Sequence, residues 1–229
     1  MHDPSAARAR ILSRLRAAPP APAPALPDWQ APRFGAPARF DRFRTMLEAM
    51  RAEVHEVDAA DWPSRLRTLL DNRGVRAVVH GDGSDAARQL AEAWSADPQA
   101  PRLVAYDRAV EHWKGELVRG VDAGVTRAIG GIAETGTLIL WPTAAEPRLM
   151  SLLPPIHVAL VEEDTIRDSF VEVIREQGWA GRMPTNVVLV SGPSKTADIE
   201  QTLAFGVHGP KELIVLVLKR SGRTCAAAG

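Results

Sequence analysis

The chain of 229 residues contains one cysteine, Cys225, and that scarcity excludes two features at once. No disulfide can form within the chain, and an iron–sulfur cluster held by several cysteines cannot be built from it. Charge of one sign is also missing, since 28 basic residues face 28 acidic ones. Such a balance gives no electrostatic footprint for nucleic acid. No apolar run reaches the length that spans a bilayer. The arginine-bearing N-terminus lacks the apolar centre of a secretory signal. No internal repeat is present. A soluble, cytoplasmic protein without a nucleic-acid partner or a membrane span is expected. What remains is an ordinary globular composition, 45% hydrophobic and 24% charged. The length suits one α/β domain with an appendage.

Three parts are expected: an arm over residues 1–39, an α/β domain over 40–220 and a flexible tail over 221–229. In the arm, Ser5 to Ala18 reads as a short helix with Ile11, Leu12 and Leu15 on one face. It serves equally as a frayed tail or as a partner-binding helix. A Pro/Ala-rich linker follows, which should be extended and semi-rigid. The body starts near Phe40, with Asp41 as the cap of a helix carrying Phe43, Met46, Leu47 and Met50. Helices are then read over Asp61–Arg73, Ser84–Trp94, Asp107–Val118 and Ile166–Gln177. Strands are read at Val54–Val57, Val75–Val79, Leu103–Val104, Val121–Ile129, Thr137–Trp141, His157–Val161, Asn186–Val190 and Glu212–Leu218. Short Val/Ile-rich runs bounded by Gly and Pro are the mark of buried parallel strands. Their alternation with helices predicts an α/β fold, a mostly parallel sheet flanked by helices.

Chemistry-bearing residues gather in three places. His80-Gly81-Asp82-Gly83-Ser84-Asp85-Ala86 matches a loose dinucleotide fingerprint. Asp82 and Asp85 would repel a pyrophosphate there, so a glycine turn with Ser84 as N-cap is the better reading. Gly130–Thr137 leads into a strong strand, and Glu134 in it could be a partly desolvated base or nucleophile or an exposed turn glutamate. The densest stretch is Ser191–Pro210. There Ser194 is expected to cap a helix ending at Gly206, with Lys195, Thr196 and Asp198 in its first turn and His208 in the turn beyond. A lysine at a helix N-terminus does not help the helix, so it could serve an anion. Ser194 and Asp198 are equally consistent with pure capping. In open α/β sheets ligands gather where strands end and helices begin. Arg148, in a loop, could clamp a carboxylate; His157 reads as packed. His157 and His208 are not spaced as zinc ligands, and no metal site is expected.

Together, Val125-Thr126, Ile132-Ala133-Glu134-Thr135-Gly136-Thr137, Arg148, Ser151-Leu152-Leu153-Pro154-Pro155-Ile156-His157, Ser191–Glu200 and Gly206–Pro210 resemble the LutC/YkgG family of LUD-domain proteins. The resemblance is strong from about Asp122 to Leu218. It implies a fold similar to the NagB/RpiA/CoA-transferase class and a part in bacterial conversion of L-lactate to pyruvate. It also implies iron–sulfur partners of the LutA and LutB type, which would hold the clusters. This chain would then carry no cofactor and act as a non-redox, substrate-binding or organising subunit; homo-oligomers are compatible with it. Under that reading Lys195 and Arg148 hold the lactate carboxylate and Ser194 and Thr196 add hydrogen bonds. Thr135, Gly136, Thr137 and Asp198 complete the substrate set, and Glu134 or His208 accepts the hydroxyl proton. The alternative is a stand-alone CoA-transferase-like or sugar-phosphate-isomerase-like enzyme using Glu134.

Overall fold

The computed structural model describes residues 4–19, 30–181, 183–197, 203–206 and 208–219. The chain divides into two units, Met1–Gln30 and Ala31–Gly229. The first contains helix α1 (Pro4–Ala17), on which Ile11 and Leu15 are exposed.

The second unit opens with α2 (Ala36–Ala49) and β1 (Glu53–Asp58). Gly35, not Asp41, occupies the N-cap of α2, and Pro37 is the second helical residue. The expected cap therefore lies inside the helix. The earlier start is favoured because a proline near the first position is pre-set for helix and lacks an N–H that would need a partner. Asp168 then fixes the entry: its carboxylate accepts from the Phe34 N–H at 3.2 Å and from the Arg39 guanidinium at 2.5 Å.

Next come α3 (Trp62–Asp71), β2 (Ala77–Gly81), α4 (Asp85–Trp94) and β3 (Arg102–Tyr106). Ser84 caps α4, its hydroxyl accepting from the Ala87 N–H at 3.2 Å. The helix expected over Asp107–Val118 is broken. A short 3-10 turn, Val110–His112, precedes α5 (Lys114–Arg119). The break is at Trp113, which is buried edge-on against Tyr106 and donates its indole N–H to the Arg108 carbonyl. Burying that side chain outweighs a weak local preference for helix.

The remaining elements are β4 (Ala123–Ile132), β5 (Thr137–Leu140), β6 (Ile156–Glu162), β7 (Ile166–Arg167), α6 (Phe170–Glu176), β8 (Val188–Val190), β9 (Lys195–Ala197), β10 (Leu203–Phe205) and β11 (Glu212–Lys219). Ile166 and Arg167 pair with β4 instead of opening a helix, because Ser169 supplies the cap of α6 by accepting from the Glu172 N–H. A nine-stranded sheet has the order β1-β11-β6-β4-β2-β3, with β5, β7 and β8 attached beyond the second half of β4. All pairs along that order are parallel; β5 pairs antiparallel with β4 and β8. This is the expected α/β sheet flanked by helices.

Burial explains why β11 is apolar throughout. Ile214, Leu216 and Leu218 enter the core under α3 and α4, while Leu213, Val215 and Val217 enter the one around α2. A strand buried on both faces has no use for alternation. A register shift between Ala128 and Gly130 bends β4, so that its second half curls toward α2. That curl brings distant motifs to one end of a helix.

Candidate functional site

The two motif-bearing turns converge on the C-terminal end of α2. Gly136, at the tip of the β4–β5 hairpin, has φ 60° and lies directly on that helix. A Cβ on it would fall 2.5 Å from Met46 Cβ and 2.6 Å from the Leu47 nitrogen. Only glycine allows both the conformation and the approach. The backbone of Glu134 is pinned on both sides: its N–H donates to the Asp168 carbonyl at 3.0 Å, and its carbonyl accepts from Arg42 at 3.3 Å. Its side chain is half-exposed. Beside it runs a chain of hydroxyls, Thr135–Thr137 at 2.7 Å and Thr137–Ser191 at 2.7 Å. Ser191 belongs to the second motif, delivered by the pairing of β5 with β8. The next residue, Gly192, packs on Met50 and has no room for a Cβ, which would fall 2.8 Å from the Met50 carbonyl oxygen.

Beyond Gly192 the structure departs from expectation. No helix begins at Ser194. Lys195–Ala197 and Leu203–Phe205 form an antiparallel pair, β9 with β10. The Ser194 N–H donates to the Pro210 carbonyl at 2.8 Å, and its carbonyl accepts from Gly206 N–H at 2.9 Å. Both backbone groups of Ser194 thus bond across the chain, which holds the segment extended and removes the expected N-cap and helix dipole. Lys195 is exposed and pairs with Phe205; Thr196 sits mid-strand. Asp198 lies outside the described residues. His208 is exposed in the turn before β11. The turn also sits at the amino edge of the sheet, since Lys211 and Glu212 donate to the Pro155 carbonyl just before β6. The expected placement at a strand's carboxyl end does not hold here.

At that amino edge a cleft of about 240 Å³ is lined by Arg51, Glu53, Pro193, Lys211, Glu212 and Leu213. Arg73 bridges its two carboxylates, bonding Glu53 and reaching Glu212 at 2.7 Å. His55 adds a 2.7 Å contact to Glu53. Burial opposes the charge on Glu53, yet His55 and Arg73 together hold its carboxyl below the ordinary range. The same pairing raises Arg73 despite its burial.

Arg148 lies elsewhere. It lines a narrow crevice with Thr126, Arg127, Leu140, Trp141, Pro142, Glu146, Pro147 and Ser151. Glu146 accepts from the Arg127 N–H at 3.0 Å. Burial pushes its carboxyl above the ordinary range, although the Arg127 N–H and charge pull it partly back. The Arg127 guanidinium is itself paired with Glu162 at 2.8 Å. His157 is buried and within 2.9 Å of Thr126 Oγ1, and burial lowers its pKa to about 4. The packed reading of His157 fits this environment.

The structure therefore joins Glu134, Thr135, Gly136 and Thr137 with Ser191 and the turn before Ser194, and sets Arg148 in a separate crevice. Arg51, Lys211 and Glu146 were missed. Arg51 carried one faint signal: the helix expected through Met50 has no glycine to stop it. Among the described residues, no His, Cys, Asp and Glu group has the geometry to hold a metal ion. No described helix is long and apolar enough to cross a membrane.

Comparison with known proteins shows the family. A family model described as LUD domain matches residues 40–218. An uncharacterized protein of Neisseria meningitidis is 35% identical over 79% of this chain and 77% of its own length. The protein YkgG of Escherichia coli is 30% identical over 79% and 78%. Lactate utilization protein C of Shouchella clausii is 27% identical over 78% and 80%. The crystal structure of a DUF162 family protein from Deinococcus radiodurans superposes with a TM-score of 0.59 at 26% identity, covering 79% of this chain and 96% of that one. The chain belongs to the LUD domain family.

Proposed function

We propose that this chain serves a lactate-utilisation system as a non-redox subunit, holding a small carboxylate while iron–sulfur partners of the LutA and LutB type carry the electrons. The observation that carries the reading is its likeness, over most of both chains, to proteins named lactate utilization protein C. Composition supports the division of labour. Oxidation of lactate to pyruvate releases two electrons and two protons, and the electrons need an acceptor. One cysteine cannot ligate a cluster that takes four. Lys211, exposed at the amino-edge cleft, is of the charge that a carboxylate needs.

Growth tests the proposal. A deletion strain with no second lactate route should fail on L-lactate, grow on pyruvate, and recover with the wild-type gene. Equal growth on both carbon sources overturns it.

A further inference from the structure

We infer that the outer edge of β8 is the surface through which two copies of this chain pair, strand to strand about a two-fold axis.

β8 ends the curled part of the sheet. One side of it pairs antiparallel with β5, and no described strand takes the other. In an antiparallel ladder every second residue turns its N–H and C=O away from the partner. Such groups at an edge are a template for a further strand, and edges that must stay single are guarded by charge or proline. The molecule shows that guard elsewhere. The edge strand β1 carries Glu53, Glu56 and Asp58, with Glu53 paired to Arg73 and Glu56 to Arg44 and Lys219. Arg102 stands exposed at the start of β3, the edge at the opposite side. β8 has no such guard. From Met183 to Pro193 no residue is charged, in a chain that is 24% charged. The two prolines of this run, Pro184 and Pro193, lie outside the paired residues.

The side chains around this edge are those of an interface. Leu189 stands opposite Ile139 and so shares its face of the sheet. Ile139 is fully buried there, yet Leu189 is 47% exposed, and Met183, a few residues before it, is 54% exposed. In the cluster around Ile139, Trp179 lies edge-on to Trp141 and Phe170, at 5.2 and 5.4 Å between ring centroids. Val187 and Ile174 are only partly buried against that cluster. Aromatic side chains and few charges mark the centre of protein interfaces. An apolar patch beside an unguarded edge is a docking surface for another strand.

Symmetry selects the occupant. About a two-fold axis each residue meets its own copy or a neighbour of it, so a charge near the axis faces its own sign. The strand of a different protein is readily matched by opposite charges, whereas a second copy requires that charge be absent. Every residue from Val187 to Val190 is apolar. Apolar side chains therefore oppose apolar ones when this run pairs antiparallel with itself. β8 also runs directly into Ser191, which bonds Thr137. The pairing thus ties the hydroxyl chain of each copy to the interface.

The test is the mass of the full chain in solution, by sedimentation and light scattering over a concentration series, for wild type, Leu189→Lys and Leu189→Glu. The wild type should reach the mass of two chains. Each variant alone should weaken dimerisation at least about tenfold, because like charges then meet across the axis. An equimolar mixture of the two should restore the dimer, because opposite charges then face each other. Leu189 is half-exposed, so both variants should keep the wild-type melting temperature within a few degrees. Amide exchange of the wild type needs no variant and should show Val188–Val190 more protected at high concentration than at low. A wild type that stays monomeric up to about 100 μM overturns the inference. So does a dimer that both variants leave unchanged, or a mixture that stays as monomeric as its parts. If either variant fails to fold, exchange decides: protection of β8 that does not depend on concentration overturns the pairing.

Discussion

The crevice beside Arg148 and the cleft beside Arg51 are both lined by charged side chains, but their charges are committed differently. In the crevice Glu146 holds the Arg127 N–H, Arg127 pairs with Glu162, and His157 is buried against Thr126. Each of these groups answers to the fold. In the cleft Arg73 bridges Glu53 and Glu212, and two cations are held at the wall by backbone constraints. Buried charge that is fully partnered is a structural device. Of the cleft's cations, Lys211 is exposed and meets no ion pair among the described residues. The comparison predicts that perturbing the crevice changes stability and leaves anion binding alone, while perturbing the cleft does the reverse.

The largest effect should come from His157. Its pKa is about 4 in the fold and about 6.5 when unfolded. The folded state therefore binds the proton less well than the unfolded one. Stability from this residue is complete above about pH 6.5, falls as pH drops toward 4, and levels off below. With the depressed value of about 4, the loss is on the order of 3 kcal/mol. Urea denaturation of the full chain at pH 7 and pH 4 measures it. His157→Gln, which cannot titrate, should lose that acid-linked component; an unchanged pH profile would show that another group causes it.

Glu146 comes next. Glu146→Ala removes the acceptor of a strand N–H and should destabilise by about 1–3 kcal/mol. Because burial raises the carboxyl in the fold, its contribution is greatest while it is protonated. It declines as pH rises through the ordinary carboxylate range toward the raised folded value. Glu146→Gln should abolish that decline. Neither variant should change lactate affinity, which titration checks. A tenfold loss would move the anion site into the crevice and break the comparison.

Arg148 sharpens it further. Exposed and with no ion pair among the described residues, Arg148→Ala should shift stability by less than about 0.5 kcal/mol. Its lactate affinity should stay within about twofold of wild type, well under the tenfold step that 1.4 kcal/mol represents. A large loss of affinity with normal stability would show that the sequence-expected clamp works where it stands.

What the sequence made legible follows the same physics. Apolar runs such as Leu213–Leu218 admit one reading because every residue is buried, and the α/β sheet follows from several such runs. Ser84 was readable as a cap because its bond is local, three residues away. Glu134, Thr135 and Thr137 were singled out as chemistry, and their approach to Ser191 depends on the bend of β4, which no local pattern encodes. The β9–β10 pair was misread as a helix because Ser194 bonds to Pro210 and Gly206, partners set by tertiary placement. Arg51 was missed because a left-handed arginine carries no compositional mark. Asp168 was missed for the same kind of reason, since its partners Phe34 and Arg39 lie far up the chain.

A difference of about 0.5 kcal/mol among three serines tests that misreading directly. Three serines carry the look of helix caps: Ser84, Ser169 and Ser194. In the fold, Ser84 Oγ accepts from Ala87 N–H at 3.2 Å and Ser169 Oγ from Glu172 N–H at 3.3 Å. Ser194 bonds through its backbone, which alanine keeps. Replacing a true cap by alanine costs about 1 kcal/mol, whereas a surface hydroxyl costs less than about 0.5 kcal/mol. Ser84→Ala and Ser169→Ala should each lower stability by the larger amount, and Ser194→Ala by the smaller, in the same urea titration. An equal loss at Ser194 would mean that its hydroxyl holds a helix end. The backbone at Lys195 would then run helical, the β9–β10 pair would open, and the wall that Pro193 gives the cleft would have to be redrawn.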